Sequence, residues 1–186
     1  MKRTALIIVA TAALGFVCAA RADAETPSLG GGAIELGLSG ALTTVEGSTR
    51  ASVGVDGSNF FQAPGGLGIA TAEIAYSHVN ELDILDAAAL IGWTRPIGDS
   101  SLYPFFAIAA GVRQQWIGSF ADALYPVGFD AGFRALVSPR ADVRISYRLR
   151  RVLNDPVEDF TEHEIRLGIA LLFRNPAVST VKTPGK

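Results

Sequence analysis

Between residues 33 and 173 the apolar residues of this chain recur at every second position, a period that strands satisfy and helices do not. Ile34, Leu36, Leu38 and Leu42 alternate with Glu35, Gly37, Ser39 and Thr43. Phe106, Ile108 and Val112 alternate with Ala107, Ala109, Gly111 and Arg113, and Val127, Phe129 and Phe133 with Gly128, Asp130, Gly132 and Arg134. The clearest runs are Val143, Ile145, Tyr147 and Leu149 against Asp142, Arg144, Ser146, Arg148 and Arg150, then Ile165, Leu167, Ile169, Leu171 and Phe173 against Glu164, Arg166, Gly168 and Ala170. The pattern predicts eight strands, over about 33–45, 49–56, 66–78, 84–94, 103–116, 125–137, 140–151 and 162–173. The second rests only on Ala51, Val53 and Val55. The third puts Leu67 and Ile69 on the face of Glu73, which a β-bulge would repair.

Each strand thus has an apolar and a polar face, and the function class depends on which of them points inward. A soluble barrel buries its apolar face, whereas a membrane barrel turns that face to lipid. The polar faces are rich in small residues, among them Gly37, Ser39, Gly92, Ala107, Gly111, Gly128, Gly132 and Gly168. Small residues relieve crowding in the narrow interior of an eight-stranded barrel, while glycine only weakens a solvent-exposed strand. The charges of these faces nearly balance. Glu35, Glu73, Asp86, Asp130, Asp142, Glu162 and Glu164 oppose Arg113, Arg134, Arg144, Arg148, Arg150 and Arg166, and lysine occurs only at 2, 182 and 186. Confined charges must be paired, and the planar, permanently charged guanidinium suits such pairing. Aromatics sit near the strand ends of the apolar face, with Trp93, Phe106 and Phe173 toward one rim and Tyr76, Trp116, Tyr125 and Tyr147 toward the other. Two aromatic girdles are expected where rings meet lipid headgroups.

The chain is 49% hydrophobic, yet no apolar run reaches the roughly 18–20 residues of a spanning helix. A membrane crossing would therefore use strands, and a sheet in lipid must close on itself. The expected fold is all-β, an eight-stranded antiparallel up-and-down transmembrane β-barrel. Its lumen would hold a charge network of Glu35, Glu73, Asp86, Arg113, Asp130, Arg134, Asp142, Arg144, Arg148, Arg150, Glu164 and Arg166. The net charge of −2 argues against nucleic acid as a partner.

The N-terminal stretch reads as an export signal. Lys2 and Arg3 precede an apolar stretch, Ala5 to Ala20, and Ala22-Asp23-Ala24 supplies small residues where a signal peptidase cuts. Cys18 follows bulky Val17, a poor context for lipidation. The chain divides into a signal peptide (1–24), a linker (25–32), the barrel (33–173) and a flexible tail (174–186). A mature chain without cysteine is compatible with an oxidising compartment.

The last strand, Arg166-Leu167-Gly168-Ile169-Ala170-Leu171-Leu172-Phe173, resembles the C-terminal assembly signal of bacterial outer-membrane barrels, with Arg166, Gly168, Leu171 and Phe173 in its four positions. Together with the export signal, the chain resembles the small OmpA-like and OmpX-like outer-membrane β-barrels. That resemblance implies a bacterial outer-membrane location and insertion by the barrel-assembly machinery. It also implies outer-membrane lipid as partner, and termini on the periplasmic side. The outer loops then fall at about 46–48, 79–83, 117–124 and 152–161, and the inner turns at 57–65, 95–102 and 138–139. The family usually stops at the terminal aromatic, whereas this chain continues for 13 residues.

No constellation for catalysis, cofactor or metal binding stands out. His163-Glu164-Ile165-Arg166-Leu167 opens like a metalloprotease helix, but Leu167 occupies the second histidine's place, in a strand. Ser77 and His78 lie near Glu81 and Asp83, but neighbouring strand residues point to opposite faces, so the two cannot readily form a nucleophile–base pair. The expected role is a monomeric structural or surface-interaction protein with a plugged lumen and no enzymatic activity. The alternatives are a lipid A-modifying barrel enzyme, a narrow pore and a soluble periplasmic ligand-binding barrel.

Overall fold

The computed structural model describes residues 27–118, 120–154 and 158–177; the predicted signal peptide lies outside them. Eight strands follow one another: β1 (Ile34–Val45), β2 (Ser48–Ala63), β3 (Gly66–Val79), β4 (Leu82–Thr94), β5 (Leu102–Ile117), β6 (Phe120–Ser138), β7 (Ala141–Leu153) and β8 (Phe160–Arg174). Each pairs antiparallel with its chain neighbour, and β1 pairs with β8, so the sheet closes into an up-and-down barrel. Closure leaves no edge strand with unpaired backbone groups.

The strands run further than the sequence pattern suggested. β2 does not stop at residue 56 but continues to Ala63, so the inner turn expected over 57–65 shrinks to Pro64-Gly65. Gly65 has φ +73°, which fits a type II turn with proline before glycine. Asp56-Gly57-Ser58-Asn59 has turn-like composition, yet its register holds the strand: Asp56 and Ser58 point into the barrel while Gly57 and Asn59 point out. β6 likewise starts at Phe120, so the outer loop placed at 117–124 reduces to the short link between Ile117 and Phe120. At the end of the barrel away from the chain termini, the expected outer end, β1 and β2 join through Glu46-Gly47, both at positive φ, the conformation that suits a two-residue hairpin.

No bulge interrupts β3, because its registers with β2 and β4 run without a shift. Leu67 and Ile69 point inward together with Glu73 and need no repair. They belong to an apolar layer at the inner end of the lumen with Phe60, Tyr103, Leu136 and Leu172. Leu29 and Ala33 complete the layer from the segment before β1. That segment crosses the mouth of the barrel. Leu29 N–H donates to the buried Tyr103 hydroxyl (2.8 Å), and Asn175 ties Gly30 N–H (3.1 Å) and Ser28 C=O (2.8 Å).

Elsewhere the sides are as the alternation requires. Ile145 is 51% exposed and Ile169 60% exposed on the outer wall, whereas Arg148 and Arg113 are 1% exposed inside. Trp93, Phe106 and Phe173 stand outward toward the inner end, and Tyr76, Tyr125 and Tyr147 outward toward the other.

Candidate functional site

The polar faces converge on a stack of ion pairs in three tiers along the lumen. The tier next to the apolar layer holds Arg134 and Arg144 with Glu35, Asp56 and Asp142. Arg134 binds Glu35 and, at 2.6 Å, Asp142, while its guanidinium also lies 4.7 Å over the Phe60 ring. Arg144 grips both oxygens of Asp56 (2.9 and 3.1 Å) and reaches Glu35 at 3.3 Å. In the middle tier Arg148 binds Glu73 and Asp130 (2.8 Å to Asp130), and Arg166 shares Glu73 at 2.6 Å. Toward the outer end Arg113 forms paired bonds to Asp86 (2.6 and 3.0 Å) and to Glu162 (2.8 Å each). Arg150 adds Glu164 at 2.9 Å and Glu162 at 3.0 Å, and Arg50 closes the tier on Glu162 at 2.8 Å. Arg166 to Glu164 (3.3 Å) links the outer tier to the middle one. Between the middle and inner tiers lies a cavity of about 60 Å³ bordered by Ser39, Thr71, Asp130 and Arg144, space for a few waters.

All twelve residues singled out from the sequence for this network lie inside and take part in it. Sequence reasoning left out Asp56 and Arg50 altogether. It counted Glu162 among the inward acids but not in the network, where Glu162 binds three arginines. Arg50 and Asp56 stand on the polar face of the expected second strand, opposite Ala51, Val53 and Val55, and continuing the period from Arg50 through Asp56, Ser58 and Phe60 brings both inside. With Asp56, Glu162 and Arg50 included, the described lumen sets eight carboxylates against seven guanidiniums. The near-balance keeps each buried charge opposite a partner.

Small inward residues make room for this packing. A Cβ at Gly37 would collide with the Arg144 guanidinium and the Asp56 carboxylate. At Gly128 it would press on the Leu149 carbonyl and, at 2.8 Å, on the Arg150 Cα of β7. Since the obstacle at Gly128 is backbone, Gly128→Ala is expected to destabilise the barrel by about 1–3 kcal/mol. Urea unfolding in detergent micelles would measure it.

The residues of the terminal signature divide between faces. Arg166 and Gly168 point into the barrel, and Leu171 and Phe173 stand outward, 60% and 69% exposed. Ser77 is buried inside while His78 is exposed outside, so they do not meet; His78 Nδ1 pairs instead with Asp83 at 2.8 Å, which also accepts from the Tyr76 hydroxyl at 2.6 Å. His163 is exposed on the outer wall, 2.5 Å from the Tyr147 hydroxyl. Among the described residues no group of three metal-ligating side chains comes together.

A closed sheet with ion pairs inside and aliphatic side chains outside defines a transmembrane β-barrel. The chain is similar in structure to Neisserial surface protein A, at TM-score 0.59 and 11% identity over 78% of this chain and 99% of that one. It is also similar to the N-terminal β-barrel domain of OprF from Pseudomonas aeruginosa, at 0.55 and 12% over 75% and 97%, and to the outer membrane enzyme PagL, at 0.50 and 15% over 72% and 97%. At these identities the likeness is one of fold. No protein-family model and no curated protein matches the sequence.

Proposed function

We propose that this protein is an integral barrel of the bacterial outer membrane, with a structural or surface-interaction role and a lumen plugged by its own ion pairs. The observation that carries the reading is the sidedness: apolar side chains cover the outer wall, and the charges are enclosed and paired. A water-soluble barrel would gain by the reverse arrangement. The short outer connections, such as Glu46-Gly47 and Asn80-Glu81, offer little surface for adhesion, which favours a structural role. The terminal residues Arg166, Gly168, Leu171 and Phe173 would serve as the signal read by the assembly machinery.

Two measurements test the reading. Membrane fractionation should place the protein in the outer membrane, with a folded form that shifts on a gel after heating. Purified monomer in planar bilayers should give no large, stable conductance, since both the ion-pair tiers and the inner apolar layer stand in the way. Recovery as a folded monomer in plain buffer would overturn the membrane location, and large stable channels the plug.

A further inference from the structure

Two tyrosine–histidine pairs stand on the outer wall toward the outer end, and their surroundings differ. At the first, Tyr76 and His78 both bond to Asp83 on the neighbouring strand, so a carboxylate of the chain itself occupies the position between them. At the second, on β7 and β8, the Tyr147 hydroxyl meets His163 Nδ1 at 2.5 Å with ring centres 6.1 Å apart. Here the neighbouring charge is Arg151. Arg151 is exposed, its guanidinium donates to Thr161 Oγ1 at 3.4 Å, and among the described residues no carboxylate pairs with it. The nearby Asp159 is engaged by the Asn154 backbone N–H at 3.1 Å. Each lumen arginine, by contrast, has a carboxylate partner.

The register brings these donors together. Arg151 lies opposite Thr161 and Leu149 opposite His163, which makes Arg151 and His163 diagonal neighbours on one face, roughly 7–8 Å apart at their Cα atoms. In the tautomer where the phenol donates to Nδ1 the imidazole proton sits on Nε2, and a phosphate oxygen beside the ring would favour that tautomer. Thr44 lies opposite His163 on β1 and shares a hydroxyl contact of 3.4 Å with Thr49. Directly toward the middle of the wall, Ile145 and Ile165 are more than half exposed. Donors set above an apolar wall complement an amphiphile whose headgroup is anionic and rich in acceptors. Arginine and histidine recognise phosphate oxygens in this way.

We propose that the outer wall of β7 and β8 binds the phosphate group of an outer-leaflet lipid. Arg151 and His163 hold the phosphate, Tyr147 orients His163, and the acyl chains lie along Ile145 and Ile165. The choice of an outer-leaflet lipid rests on the outer-membrane reading above; the donor set itself does not.

The test uses the full barrel in nanodiscs of zwitterionic phosphatidylcholine, titrated with bis-phosphorylated lipid A, with dephosphorylated lipid A and with inorganic phosphate. Binding is followed by the ring resonances of His163 and by lipid retained in native mass spectrometry. The phosphorylated lipid should bind at least roughly tenfold more tightly than the dephosphorylated one, the difference a charge-assisted contact supplies. Arg151→Gln should remove that preference, Arg151→Lys should restore part of it, and His78→Gln should leave it unchanged. Gel mobility before and after heating shows that each variant is folded. Equal binding of the two lipids, or an unaltered preference in folded Arg151→Gln, overturns the proposal. A response to inorganic phosphate alone as strong as to the lipid also overturns it, in favour of an unspecific anion site. Cell fractionation decides the outer-membrane location independently of these outcomes.

Discussion

Arg113→Ala is expected to lower the stability of the barrel by about 3–5 kcal/mol, the cost of breaking a buried pair from one side. The guanidinium is 1% exposed and makes four hydrogen bonds, two to Asp86 and two to Glu162. Its removal strands carboxylate oxygens where water has little access. Glu162 retains Arg50 and Arg150, but Asp86 is left with Arg150 at 3.4 Å. The double variant Arg113→Met with Asp86→Leu should recover much of the loss, because neither charge is then left alone. Urea titration in micelles, followed by tryptophan fluorescence, reads both. A single variant as stable as the parent would mean that this guanidinium is solvated.

Ile169→Arg tests the opposite face. Ile169 is 60% exposed near the middle of β8. If lipid covers it, an arginine there costs about 2–4 kcal/mol, falling to ~0–1 for the same change at the interface. On a water-facing wall the same substitution would stay within about 0.5 kcal/mol. Refolding into vesicles of increasing urea content gives the value, with Phe173→Arg at the rim as the milder comparison. No penalty at Ile169 would contradict lipid contact.

Much of this architecture is legible in single residues. Alternation in β7, where Ile145 and Tyr147 alternate with Ser146 and Arg148, sets strand and sides at once, since i and i+2 must share a face. Arginine without lysine over the same stretch indicates charges confined to a small space. The reading failed where local composition and tertiary pairing disagree. Asp56-Gly57-Ser58-Asn59 looks like a turn to any propensity scale, but its hydrogen bonds to β1 and β3 make it strand. Leu67 and Ile69 look misplaced in the sequence only if the lumen is polar along its whole length. The inner end is apolar because residues 28–33 cross the mouth and Leu29 packs into it, a contact that no local pattern encodes.

The partners within the lumen were not legible either. Arg148 and Glu73 are 75 residues apart in the chain, and Arg134 and Glu35 are 99 apart. Period-two patterning states only that each side chain points inward. Strand number, sidedness and the near-equality of enclosed charges can be read along the chain, because side-chain direction and charge neutrality follow from local alternation and composition. Which guanidinium meets which carboxylate, where the strands end and what closes the inner mouth emerge only on closure of the sheet, because they depend on its register.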